Sequence, residues 1–270
     1  MDPKLLYATF KRNDAPAWRC PNCMNETLEI VADSFVETDS SATTQFRDEV
    51  WFDEEMSGGV FSCVLRCTRQ ACQEKVALSG QVVAVECFND EMTERWYVSG
   101  FRPKYFYPPL PLFLFPEKCP EDIADLLAEV SALIPSHPAS AVNTMRTILE
   151  MMLDSLDVPR EKTVKGKIIR LSTHERITNY SDKLGLNKDA FMALKWLGNH
   201  GSHGGIKVTR SSINDACILI GHLIDFLFLE SPDVTIHIER INNVYAPVTN
   251  GAIVIHTQRL KSDPGGNLLS

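Results

Sequence analysis

Two close cysteine pairs limit what this chain can fold into more than any other feature. Cys20-Pro-Asn-Cys23 is followed, after residues 24–66, by Cys67-Thr-Arg-Gln-Ala-Cys72. Each pair can form a tight turn that points two thiolates inward. Strand-like sequence between the pairs brings the turns together around a tetrahedral ion. The first gap is two residues and the second four, and Cys63, four residues before Cys67, offers a substitute ligand. The competing reading is a set of buried apolar cysteines. Ligand spacing favours a structural Zn²⁺ on Cys20, Cys23, Cys67 and Cys72, a closed site that clamps a small sheet and implies no zinc catalysis. Cys87, Cys119 and Cys217 lack partners at ligand spacing and read as core.

The rest of the chain shows two composition regimes that meet near Pro116–Pro120. Before that point, Leu28–Val36, Val60–Cys67 and Lys75–Val85 read as strands from their β-branched content and flanking turn residues. Glu37–Gly59, with Asp48, Glu49, Asp53, Glu54 and Glu55, reads as a long acidic loop or hairpin insertion. Tyr105–Pro116 is too rich in proline for a helix and reads as an extended aromatic strap. After Pro120 the apolar spacing becomes helical. One helix starts at Pro120, and a second spans about Ala139–Leu156, with Asn143, Arg146, Glu150 and Asp154 as its polar stripe. A third lies within Lys167–Leu184 and a fourth within Lys188–Leu197. The glycines at 198, 201, 204 and 205 predict that the fourth helix ends in a turn. A fifth opens at Ser212, with Asp215 three residues on, and runs to about Glu230. Alternation at Val234, Ile236 and Ile238, then Ala252–His256, predicts a short β addition before a loose tail.

Composition bounds the location and the partners. A net charge of −8 argues against a general nucleic-acid coat. Met1-Asp2-Pro3-Lys4 does not begin a signal segment. The most apolar stretch, Ala216–Leu229, carries His222 and Asp225, so a cytoplasmic protein without a membrane partner is expected. In that reducing compartment the eight cysteines do not form a disulfide framework.

Two motifs in the helical half carry a resemblance. Arg146-Thr-Ile-Leu-Glu150 lies on one helix, and Leu194-Lys-Trp-Leu-Gly198-Asn199-His200-Gly-Ser-His203 closes another. Together they resemble a prokaryotic domain-of-unknown-function family whose members look like HEPN domains. These often carry an N-terminal zinc ribbon or adjoin restriction and phage-defence genes. The resemblance covers about Pro116–Glu230. It implies an α+β chain: a zinc-ribbon-like β domain with the strap (1–116), a HEPN-like all-α bundle (117–230), and a β extension with a flexible tail (231–270). It also implies a homodimer.

Active members of that group are metal-independent ribonucleases in which an Arg and a His act on the ribose 2′-hydroxyl and the adjacent phosphate. Here Asn199 and His203 match the Asn and His positions, but Gly198 stands where the Arg belongs. Lys195 precedes His200 at the nominal spacing without a guanidinium's planar fork. The alternative to a catalytic site is a helix-end network satisfying terminal carbonyls, with Glu150 as a partner of His203. Arg146 and Glu150 read either as an exposed pair one turn apart or as a buried anchor for the Asn199 turn.

One basic stretch stands out. Arg160, Lys162, Lys165, Lys167, Arg170 and Arg176 oppose only Glu161 and Glu175. It suits RNA or DNA phosphates, or the acidic Asp48–Glu55 loop of another copy. The expected function is a non-catalytic or weakly catalytic nucleic-acid- or partner-binding module of a prokaryotic defence system. In it Lys162, Lys165, Lys167, Arg170 and Glu150 would form the binding surface. The alternative is a metal-independent endoribonuclease with His203 as general acid/base, supported by Asn199, Lys195 and Arg146.

Overall fold

Large apolar residues alternate with exposed ones along three long strands, the two-residue period of a sheet with one face buried. A computed structural model describes residues 1–89, 91–203, 208–230, 236 and 239–241, with backbone only at 200–203. Its first half contains β1 (Trp18–Arg19), β2 (Glu26–Ile30), β3 (Val36–Asp39), α1 (Ser41–Phe46), β4 (Gly58–Cys67), β5 (Lys75–Phe88) and β6 (Arg95–Tyr107). All pairings are antiparallel, in the order β1-β2-β4-β5-β6 with β3 also on β4, and the sheet curls into a half-barrel. β2 pairs Leu65–Cys67 and β3 pairs Gly59–Ser62, so the two are one broken strand along β4. The break is a 3₁₀ turn, Ala32–Ser34. Ser34 Oγ bridges it by accepting from the Val64 amide at 2.8 Å and donating to the Val31 carbonyl at 2.6 Å.

The inner face is aromatic. Phe10, Trp18, Phe35, Phe61, Phe101 and Phe106 meet with ring centroids 4.7–5.8 Å apart. Each such pair adds about 0.5–1.5 kcal/mol beyond its buried area. Phe101 and Phe106 are an odd number of residues apart, so both face inward only because β6 carries a bulge. Ser79 pairs with Tyr105 and Gly80 with Pro103, which leaves Lys104 as the extra residue. A Cβ on Gly80 would collide with the Arg102 carbonyl oxygen, so this crossing requires glycine.

Beyond β6 the strap buries Leu110, Leu112 and Phe113. It leads into α2 (Glu121–Leu133), α3 (Pro138–Ser155), a hairpin of β7 (Glu161–Val164) and β8 (Lys167–Arg170), α4 (Thr173–Asn179), α5 (Ser181–Leu184), α6 (Lys188–His203) and α7 (Arg210–Phe228). One apolar core runs from the aromatic face through the strap into these helices, and Met1–Leu229 is one unit. Tyr7 Oη donates to Asn214 Oδ1 at 2.8 Å, and the Arg210 guanidinium lies 4.2 Å from the Tyr7 ring centre. Among the described residues α7 alone is long and apolar enough to cross a membrane. Ile213, Ala216, Cys217, Ile220, Leu223 and Ile224 of that helix are buried in the core.

These observations correct the expected architecture. The chain is α+β, but it is not a zinc ribbon followed by an all-α HEPN-like bundle. Strands of 10, 14 and 13 residues (β4, β5, β6) build a curled sheet with its own aromatic core, so the thiols sit at one end of a hydrophobic structure rather than at its centre. The helical half is interrupted by the β7–β8 hairpin, where a third helix is expected to begin. Lys165 and Gly166, at φ 51° and 75°, supply the two left-handed residues of a tight hairpin turn.

Two helix boundaries also move. α6 continues through Gly198 to His203 instead of ending at the first glycine. A Cβ at Gly198 would lie 3.0 Å from Arg146 Cβ, so this glycine serves a close helix crossing rather than a stop. α7 is capped by Thr209, whose hydroxyl accepts from the Ser212 amide at 3.1 Å, three residues before the expected cap. The expected β addition falls mostly outside the described residues; Ile236 and Glu239–Ile241, which are described, are helical.

Candidate metal centre and cationic cleft

The two cysteine turns are built alike. Cys20–Cys23 follows β1 and Cys67–Cys72 follows β4, and the pairing of Leu28 with Cys67 lays the turns side by side. Each second cysteine is followed by a residue in the left-handed region, Met24 at φ 57° and Gln73 at φ 55°. Such a conformation costs a non-glycine residue about 1 kcal/mol or more and persists where its surroundings impose it. The Met24 amide donates to the Cys20 carbonyl at 3.0 Å, and the Gln73 amide to the Arg69 carbonyl at 3.1 Å.

The four sulfurs lie within 4.8 Å of one another, with Cys20–Cys72 at 3.6 Å and Cys23–Cys67 at 3.7 Å. Four sulfurs about 2.3 Å from a tetrahedral Zn²⁺ stand about 3.8 Å apart, so these four residues fit such an ion with little movement. Polar groups already face them: Thr27 Oγ1 and Cys67 Sγ share a hydrogen bond of 3.1 Å, and Asn22 Nδ2 donates to Cys72 Sγ at 3.4 Å. Hydrogen bonding from the Asn25 backbone pulls the Cys23 thiol down to about 5, while burial pushes Cys20 up to about 12. Cys63 takes no place in the cluster. It faces inward, and burial pushes its thiol up to about 11. Cys119 and Cys217 are buried, and Cys87 is half-buried.

A second cluster forms in the helical half. A cleft of about 380 Å³ is lined by Arg146 and Glu150 of α3, Arg160 and Arg170 at the base of the hairpin, and Ser172, Thr173, Glu175 and Arg176 at the start of α4. Arg176 forms its floor, 3% exposed. It donates to Asp154 Oδ1 at 2.6 Å and to the Val158 carbonyl at 2.8 Å, while its Nε has no acceptor among the described residues. Arg160 holds the same carboxylate through Nε at 3.1 Å. These two guanidiniums, Arg160 first, keep Asp154 below the usual carboxylate range. Thr173 Oγ1 donates to Glu150 Oε1 at 2.9 Å, and Arg146 Nε lies 3.7 Å from the same oxygen. Arg170 has no ion-pair partner among the described residues.

α6 packs on α3 behind Arg146. Lys195 is buried with its ammonium 3.3 Å from the Trp196 ring centre; burial first, then the charge of Arg146, lowers its pKa. Asn199 is half-buried one residue after Gly198, which packs on Arg146. Arg146, Glu150 and Arg170 therefore meet in the cleft, while Lys195 stands outside its lining and feels only the charge of Arg146. Lys162 pairs instead with Glu175 at 3.6 Å, and Lys165 and Lys167 stand at the hairpin tip, about 10 Å from its base. The side chain of His203 lies outside the described residues. The sequence places Arg176 in the basic stretch but gives no site role to Asp154. The polar stripe on α3 is the signal for Asp154, but only the fold shows which arginines it meets.

Two families match the chain, both described as domains of unknown function: DUF8608 over residues 8–106 and DUF4145 over residues 128–245. No curated protein and no solved structure matches it. The chain is thus similar to two uncharacterised families whose boundary falls at the strap, and neither description names a ligand, a metal or an activity.

Proposed function

We propose that this chain is a non-catalytic nucleic-acid-binding module, with Zn²⁺ held by Cys20, Cys23, Cys67 and Cys72 and phosphate received in the cationic cleft. The observation that carries this reading is the convergence of four arginines from α3, the hairpin and α4 on one cleft of an acidic protein. A guanidinium presents a planar fork of donors that matches phosphate oxygens. Arg170, at the cleft mouth, makes the first contact; Arg146 sits deeper and exchanges its long pair with Glu150 for a phosphate oxygen. Arg176 and Arg160 stay on Asp154 and fix the wall. The ion supplies only a closed structural clamp, because all four positions are filled by thiolates. The motif resemblance adds the setting, a prokaryotic defence locus.

The test is fluorescence anisotropy of labelled RNA and DNA with the parent, Arg170→Glu and Arg146→Ala, in EDTA-free buffer and across a salt series. The expected result is parent binding that weakens with salt. Each variant binds about 10-fold less tightly, with the salt slope shallower by about one for each lost contact. Equal binding by parent and variants overturns the cleft as the site. RNA cleavage in EDTA that disappears in His203→Ala replaces this reading with the ribonuclease one.

A further inference from the structure

The outward face of the sheet carries a feature that the cleft does not use. Tyr105 and Tyr107 project from the same side of β6 and are 56% and 79% exposed. Across the ladder they oppose Ser79 and Ala77, which are too small to cover a ring, and β6 is the edge of the sheet. Residues two apart on a strand are separated by roughly 6.7 Å, about twice the 3.4 Å spacing of stacked bases. That separation leaves room for one base between the two rings.

Cations surround this pair. Arg102 and Lys104 lie on β6 itself, and Arg66 and Lys75 are paired across β4 and β5 on the same face, with Glu29 beyond Arg66. Burial lowers the Lys104 ammonium, and the neighbouring charges acting on it are two further cations, Arg210 and Arg102. An open trough of about 620 Å³ lies beside Tyr105, bounded by Val60, Ser62, Gln81 and Lys104. The His137 ring, at the start of α3, stands 6.3 Å from that of Tyr105.

We infer that this face binds single-stranded nucleic acid, with bases stacked on Tyr105 and Tyr107 and phosphates held by Arg102 and Lys104. Every base has a π-face, so stacking of this kind tolerates any sequence. A duplex keeps its bases in its own stack and gains nothing from the rings. The bulge makes the arrangement possible, because it turns Phe106 inward and so sends Tyr105 and Tyr107 out beside Lys104. The inference stands on residues other than the cleft's, so the two sites are tested apart.

The experiment titrates the full-length protein against a fluorescent oligothymidine of about 15 nucleotides and a duplex of the same length. The expected result is tighter binding of the single strand by the parent, lost by about 10-fold for each ring removed in Tyr105→Ala/Tyr107→Ala. Tyr105→Phe/Tyr107→Phe keeps the rings and stays near the parent. Duplex binding does not change in either double variant, whereas Arg170→Glu weakens both probes if the cleft also serves. Single-strand binding that survives the alanine pair overturns the inference. So does an equal loss in the phenylalanine pair, or a parent that ignores both probes and leaves the face to a protein partner. Should the alanine pair melt well below the parent, Tyr107→Ala alone, at the more exposed position, carries the test.

Discussion

The thiol cluster and the cationic cleft each crowd four groups of like character into a small space, and they differ in what neutralises them. Around Cys20, Cys23, Cys67 and Cys72 the polar neighbours are Thr27, the Asn22 amide that donates to Cys72, and one cation, Arg69, whose side chain helps lower the Cys23 thiol. Four thiolates with one arginine beside them would still need further positive charge from outside. The cleft carries its own counter-charges: Asp154 sits between Arg160 and Arg176, Glu150 beside Arg146, and Glu175 near Lys162. The first site is suited to a metal ion. The second balances most of its own charge, and Arg170 is its least compensated cation.

Removing the ion should break that contrast with the largest effect. Dialysis against a strong chelator, or Cys67→Ser, is expected to cost about 4 kcal/mol or more and to lower the melting temperature by about 10 °C or more. Metal analysis of the parent should return one zinc per chain, with Cys63→Ser unchanged. A parent without metal that melts like the chelated protein would dissolve the contrast. Asp154→Asn comes next. It removes the carboxylate that pairs a buried arginine, and a loss of about 2 kcal/mol is expected, at the low end because Asp154 is itself a third exposed. Its pKa is depressed in the fold, so its contribution is full above the unfolded value near pH 3.9 and disappears as the pH falls through the folded value. The gap between parent and variant in urea unfolding should therefore close only below about pH 4. A gap that closes near neutrality would assign the loss to another group.

The smallest effect sharpens the comparison at a helix crossing. Gly198 and Gly221 both lie in helices, yet only Gly198 faces a neighbour within contact distance of a Cβ. Gly221→Ala should stabilise by about 0.5–1 kcal/mol through helix propensity. Gly198→Ala should destabilise by about 1 kcal/mol, because Arg146 Cβ has little freedom to retreat and the clash outweighs that gain. Thermal melts of the two variants should move in opposite directions, and parallel shifts would remove Gly198 from the crossing.

Local chemistry made some of this readable in the chain and hid the rest. The cysteine pairs announce a ligand set because spacing alone lets two turns present four thiols. α3 is legible from Val142 to Leu153 because its buried stripe follows helical spacing without interruption. β6 is not, because Gly100 and Pro103 resemble breaks, and only the pairing of Pro103 with Gly80 across a bulge shows that the strand continues. Lys167–Arg170 resembles the start of a helix until Lys165-Gly166 is seen as a hairpin turn. The cleft is legible in part: Arg160, Arg170 and Arg176 belong to the basic stretch, but the arrival of Arg146 and the pairing with Asp154 depend on how α3, the hairpin and α4 pack.

The hydroxyl of Tyr7 reaches Asn214, so the segment before β1 is fastened by a helix synthesised 207 residues later. At about 5–20 residues per second the first segment waits roughly 10–40 s for that partner. During that time the half-barrel has its strands but lacks its last latch. Synthesis stalled before Asn214 would release an unsealed half-barrel, a ready substrate for chaperones and proteases.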